Sequence, residues 1–119
     1  MNDKTVRVIL SPEAEEAYRA LNSRAGDSKL DRSILKAINK KTELIKIDIY
    51  YGDPISKDKI PAEYISKYGI TNLFRVELPQ FWRMLYSLID GESKVEIIAF
   101  VLDVSDHSKY NKIFGYRKK

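Results

Sequence analysis

The sequence predicts an α+β fold of two layers, and three features of its 119 residues carry that expectation. An alternating stretch at Thr5 to Leu10 precedes two capped, amphipathic helical segments. From Leu73 onward the hydrophobic period drops to two and stays there through three consecutive strands. The turns between those strands, Pro79-Gln80 and Asp90-Gly91, are short enough to make neighbours antiparallel. The expected architecture is an N-terminal strand and a helical hairpin packed on an antiparallel β-meander, in a single domain spanning 1–119.

In the first strand Val6, Val8 and Leu10 alternate with Thr5, Arg7 and Ile9. Ser11-Pro12 then starts a helix: Ser at the N-cap, Pro at N1, and Glu13, Glu15 and Glu16 near the positive end of the dipole. Ala14, Ala17, Tyr18 and Leu21 form one apolar stripe. Gly26-Asp27 breaks this helix, and Asp27 or Ser28 caps a second. The second helix is expected to bury Leu30, Ile34, Ala37 and Ile38, with Leu44 and Ile45 continuing the stripe. Ile45, Ile47 and Ile49 also fit strand spacing, but the helical stripe favours a helix to about residue 48.

Tyr51-Gly52-Asp53-Pro54 reads as a turn and Ile55 to Lys59 as a loop. Pro61 opens a short helix from Ala62 to Tyr68, which Gly69 ends. Leu73 to Leu78 puts Phe74, Val76 and Leu78 on one face and Leu73, Arg75 and Glu77 on the other. Phe81 to Leu88 puts Trp82, Met84, Tyr86 and Leu88 on the core face with Arg83 opposite. Val95 to Val104 is apolar on both faces for most of its length, which suggests an interior strand. Asp106 caps a last short helix through Tyr110 to Phe114.

Composition narrows the function classes. The chain is 44% hydrophobic, enough for a core, and 32% charged, with a formal net charge of +4. It contains no cysteine and one histidine, which excludes disulfides and thiolate metal sites and argues against a zinc site or any other metal or cofactor requirement. No signal-peptide segment and no membrane-length apolar run is present, so the expectation is a cytoplasmic protein with no membrane partner. The last eleven residues carry Lys109, Lys112, Arg117, Lys118 and Lys119 with no acid, while acids gather on the first helix. That asymmetry suggests one face for a polyanion; a solvated tail is the plainer alternative.

Phosphate-loop, dinucleotide, serine-hydrolase and zinc-protease motifs are all absent. On the face away from the helical hairpin, alternation gathers Arg75, Glu77 and Arg83. Converging guanidiniums call for an anion between them: Glu77, in a cross-strand ion pair, or a phosphate. His107 beside a helix start is most simply a capping or surface residue, and Tyr110 and Phe114 most simply pack. Tyr116 and Arg117 can stack on an unpaired base. The one chemistry that needs only these residue types is metal-free RNA cleavage by attack of a 2′-hydroxyl. With one histidine, at least one proton-transfer role falls to Tyr, Lys or Glu, or substrate alignment does more of the work.

Several segments in this order resemble the RelE/ParE superfamily of type II toxins, closest to its RelE-like ribonuclease branch. They are SPEAEEAYRAL, IPAEYISKYGITNLFRVEL, FWRMLYSL and VEIIAFVLDVSDHSKYNKIFGYR. Most telling are Leu73 to Arg75, then Trp82, Arg83 and Tyr86, and the stretch Asp106 to Tyr110. The resemblance implies a RelE-like two-layer sandwich and a ribosome-dependent endoribonuclease that cuts mRNA in the decoding site. It implies a small cognate antitoxin as partner, in a toxin–antitoxin hetero-oligomer or with a homodimer. By the same resemblance Arg83 contacts the scissile phosphate, and His107 and Tyr110 serve proton transfer or base stacking. Arg75 is then the basic residue of the preceding strand, and Arg117 is a looser match; Lys109, Lys112 and Tyr116, read from the basic tail itself, would extend the RNA contact. His107 and Tyr110 are separated by Ser108 and Lys109, and Glu77 stands among the arginines, both departures from the family pattern. The same resemblance admits a gyrase-directed toxin of the ParE branch or an RNA-binding relative that does not cut.

Overall fold

The computed structural model describes residues 5–90 and 96–105 together with Phe114; the side chains of Thr5 and of 96–105 lie outside that description. The order is β1 (Thr5–Leu10), α1 (Pro12–Arg24), α2 (Lys29–Ile47), β2 (Asp53–Pro54), α3 (Ala62–Tyr68), β3 (Phe74–Glu77), β4 (Arg83–Asp90) and β5 (Glu96–Ser105). This is the expected α+β class, an N-terminal strand and two helices on an antiparallel three-stranded meander.

Both long helices begin as their caps dictate. The Ser11 side chain accepts from the Ala14 amide at 3.0 Å, and Ser28, rather than Asp27, accepts from the Asp31 amide at 3.1 Å. Arg32 donates to the Ala25 carbonyl at 2.7 Å, tying the end of α1 to the start of α2. Ala14 and Leu21 are buried, as are Ile34, Ile38 and Ile45. Leu30 departs from the expected stripe and is 45% exposed. Asp31 takes the inward position, paired with Arg24 at 2.8 Å, so the buried face turns away from Leu30. The helix ends at Ile47, with Asp48 as C-cap.

Among the described residues one sheet runs in the order β1-β5-β4-β3-β2. β5 is interior, parallel to β1 and antiparallel to β4, as its doubly apolar sequence predicts. The segment expected as a plain turn contributes β2, which pairs Asp53 with Arg75 and Pro54 with Phe74. Proline cannot donate to a ladder, which suits an edge strand of two residues.

Two apolar clusters lie on opposite faces of the sheet. The larger packs α1 and α2 against Val6, Val8, Leu10, Phe74, Val76, Leu78, Met84 and Tyr86. The smaller gathers Ile60, Tyr64, Ile70, Leu73 and Leu85, with Phe114 packed against it. The face without the helical hairpin is thus half covered by α3 and its flanks. Leu73 and Leu85 share that face with the arginines, and two buried leucines draw an amphipathic turn of helix over them. Beside this cluster, Asn72 substitutes for a strand residue. Its Oδ1 accepts from the Leu88 amide at 2.8 Å and the Ser87 hydroxyl at 3.0 Å, while its Nδ2 donates to the Leu88 carbonyl at 3.0 Å.

Candidate functional site: an arginine cluster on the half-covered face

The register of β3 and β4 builds the site. Glu77 stands opposite Arg83 and Arg75 opposite Leu85, while Asp53 of β2 stands opposite Arg75. Glu77 Oε1 lies 3.2 Å from Arg83 Nη1, and its Oε2 lies 3.5 Å from Arg75 Nε. Asp53 approaches Arg75 more loosely, at 3.7 Å. Arg83 is the most enclosed member, its side chain only 17% exposed, and it also donates to the Trp82 carbonyl at 3.4 Å.

The expected gathering of Arg75, Glu77 and Arg83 is therefore present, with Glu77 as the bridging anion. That is the cross-strand ion-pair arrangement weighed from the alternation. It also holds both guanidiniums in one region of the surface, where a phosphate could displace or join the carboxylate.

A shift of register between Leu85 and Tyr86 moves the partner from Asp103 to Val101, skipping Leu102. Such an extra residue bends a strand and increases its local twist. β5 ends at Ser105, opposite Arg83. His107, Lys109, Tyr110, Lys112, Tyr116 and Arg117, and the tail helix expected from Asp106, lie outside the described residues. Phe114 is described, and it packs on the second cluster as expected of a packing residue.

Two cavities flank Arg75. One, of about 180 Å³, lies among Asp53, Ile55, Ser56, Lys59 and Phe114. The other, of about 250 Å³, lies among Lys41, Tyr51, Gly52, Asp53 and Glu77. Lys41, Tyr51, Asp53 and Lys59 leave no mark of this site in the sequence, because α2 and the 51–59 segment are brought to the sheet only by tertiary packing. The sole local signal was Gly52, where an added Cβ would stand 2.9 Å from Tyr86 Cε1 and 3.0 Å from the Arg75 carbonyl.

Tyr86 is a core residue. It stacks on Phe74 with ring centroids 5.1 Å apart, and its hydroxyl accepts from the Gly52 amide and donates to the Ile49 carbonyl. Burial pushes its phenol up from the ordinary value.

Among the described residues no group of three or more His, Cys, Asp or Glu side chains could hold a metal ion, and no helix is long and apolar enough to cross a membrane. Comparison with protein-family models, with curated proteins and with solved structures finds no match to the chain.

Proposed function

We propose that the chain is the toxin of a type II toxin–antitoxin pair, acting in the cytoplasm as a ribosome-dependent mRNA endoribonuclease with Arg83 as phosphate clamp. The observation that carries this reading is the convergence of Arg83 and Arg75 from adjacent strands, 3.2 and 3.5 Å from one bridging carboxylate. The Glu77 carboxylate already lies within ion-pair distance of both guanidiniums. A phosphodiester is the ligand whose charge and forked oxygens suit that position.

The reaction needs no redox partner. The 2′-oxygen bonds to the adjacent phosphorus, the bond to the 5′-oxygen breaks, and the products are a 2′,3′-cyclic phosphate and a 5′-hydroxyl. One proton leaves the 2′-hydroxyl and one reaches the departing 5′-oxygen. The arginines offset the negative charge that builds on the phosphoryl oxygens. Glu77 is the nearest described carboxylate to take the first proton. His107 and Tyr110 carry the remaining roles by resemblance, and β5 ends at Ser105, two residues before His107. The cognate antitoxin belongs to the same reading, as hetero-oligomer partner or beside a homodimer.

A second reading rests on Glu77 itself. A carboxylate held between the arginines suits a non-catalytic member of the same fold, either a gyrase-inhibiting ParE-type toxin or an RNA-binding regulator. Induced expression with mapping of mRNA ends separates the readings. The ribonuclease arrests growth and leaves ribosome-dependent cuts, and Arg83→Ala restores growth while staying folded. An alanine variant as toxic as the parent removes Arg83 from the site. Gyrase inhibition gives DNA-damage signals with intact mRNA, and a pure binder gives salt-dependent affinity without cleavage products.

A further inference from the structure

The cavity beside α2 has the construction of a base pocket. Tyr51 forms one wall; its hydroxyl accepts from Lys41 Nζ at 2.8 Å, and the same ammonium lies 5.2 Å from its ring centroid. Tyr51 as a residue is 37% exposed, so it is held through its hydroxyl yet still accessible to a ligand. Its backbone is held as well. The Tyr86 hydroxyl bonds the Ile49 carbonyl on one side of Tyr50-Tyr51 and the Gly52 amide on the other, at 2.8 and 3.0 Å. Gly52 permits that close approach, because a Cβ there would meet Tyr86, Phe74 and the Arg75 backbone within 3.1 Å.

The charges lining this cavity balance: Lys41 and Arg75 against Asp53 and Glu77. Such a lining favours a flat, neutral, polar ligand over a second phosphate. Arg75 and Glu77 belong both to this wall and to the cluster with Arg83. Through these two shared residues, an RNA held by its phosphate at Arg83 would bring a neighbouring nucleotide toward the cavity. Glu77 is engaged by both arginines, while Asp53 is 70% exposed and meets Arg75 only at 3.7 Å. Asp53 is thus the carboxylate available to accept a hydrogen bond from an exocyclic amino group. Cytosine, adenine and guanine carry such a group; uracil presents carbonyls instead.

We infer that the Lys41–Tyr51–Asp53 cavity receives an unpaired nucleobase flanking the phosphate at Arg83, stacked on Tyr51 and selected for an exocyclic amine by Asp53. This rests on the RNA reading given above. It adds a specificity subsite to the phosphate clamp.

The test uses the full chain and short single-stranded 2′-O-methyl oligonucleotides, which cannot be cleaved, of cytidine or of uridine. Anisotropy titrations should show oligocytidine bound roughly 5-fold or more tightly than oligouridine. Tyr51→Ala should weaken both, Tyr51→Phe should retain binding, and Asp53→Ala should bring the cytidine-to-uridine ratio to one. Arg83→Ala should weaken both and leave the ratio intact. Thermal melts of each variant establish that it is folded. Equal affinities in the parent chain, no binding of either, or an unchanged ratio in Asp53→Ala overturns the subsite. mRNA-end mapping reads the reaction separately. Cuts with no base preference and no effect of Tyr51→Ala keep the ribonuclease and remove the subsite. Cytidine-selective binding without any cuts keeps the subsite and removes the ribonuclease.

Discussion

Glu77 faces Arg83 directly across the β3–β4 pair, 3.2 Å from its guanidinium, and the same carboxylate lies 3.5 Å from Arg75. If RNA phosphate competes for these arginines, Glu77 is its internal rival. Neutralising it by Glu77→Gln keeps the shape and removes the competing charge. Exposed ion pairs are individually weak, so affinity for a single-stranded RNA should rise by roughly 3- to 10-fold at low salt. The salt dependence should steepen as well. Weaker binding by the variant would make Glu77 part of the binding set rather than a placeholder. The same variant separates binding from chemistry. Should Glu77 act as the base, cutting falls while binding improves.

Tyr86 links the sheet to the loop that carries Tyr51. Its hydroxyl satisfies both the Gly52 amide and the Ile49 carbonyl beneath a ring that is fully buried. Tyr86→Phe leaves two backbone groups without that partner, and should cost about 1–3 kcal/mol in urea unfolding. Gly52→Ala should cost about as much by overpacking, since its Cβ would lie 2.9 Å from the Tyr86 ring. A variant melting with the parent would show that the loop can re-seat. The phenol of Tyr86 also sets a basic limit. Its ionisation is pushed upward chiefly by burial, so its contribution is complete below the ordinary value of 10.0 and is lost as pH rises beyond it. Tyr86→Phe should remove that part of the alkaline decline.

The turn between β3 and β4 holds two consecutive residues at positive φ, Gln80 at 58° and Phe81 at 66°. Trp82 donates to the Pro79 carbonyl across them at 3.2 Å. Both central residues of a type I′ turn need this conformation, and Asn-Gly adopts it far more easily than Gln-Phe. The left-handed region costs a side-chain-bearing residue about 1–2 kcal/mol. Replacing Gln80-Phe81 by Asn-Gly should therefore stabilise the chain by about 1 kcal/mol or more. Urea unfolding midpoints check this. A loss of stability would mean that the contacts of Phe81 outweigh the strain.

The helices are legible because their signals are local. Ser11 and Ser28 cap as their sequence context predicts, and Gly69 ends α3 with a φ of 65°. Arg75, Glu77 and Arg83 are legible too, because one face of a strand recurs every second residue. The parallel pairing of β1 with β5 has no such signal, since register between opposite ends of the chain leaves no spacing to read. Leu85 carries no clear signal for a related reason. Met84, Leu85 and Tyr86 are apolar at both parities, and only the packing of Ile60, Tyr64 and Leu73 reveals that Leu85 serves a second cluster. Asp31 misled the helical stripe because a buried carboxylate is read as solvent-facing until its Arg24 partner is known. Lys41, Tyr51 and Asp53 reach Arg75 through tertiary packing of segments that are unremarkable one at a time.

Glu13 connects the start of α1 to the end of α3. Its carboxylate accepts from the Lys67 ammonium and, at 2.6 Å, from the Tyr68 hydroxyl. The Lys67 hydrogen bond, followed by that of Tyr68, lowers its pKa from 4.5 to about 2. A carboxyl that is more acidic folded than unfolded adds stability above its ordinary value and loses it as the pH falls. The contribution should be complete above pH 4.5 and disappear on descent to about 2. Melting temperature should fall across that window, and Glu13→Gln should flatten this part of the fall. Both charged side chains are substantially exposed, 49% for Lys67 and 41% for Glu13, so water and salt weaken the pair. The difference between parent and variant near neutral pH should be on the order of a few degrees and should shrink at high ionic strength. Parent and Glu13→Gln melting in parallel from pH 5 to pH 2, values spanning the titration of an unpaired and a paired carboxyl, would deny Glu13 any part in the acid response.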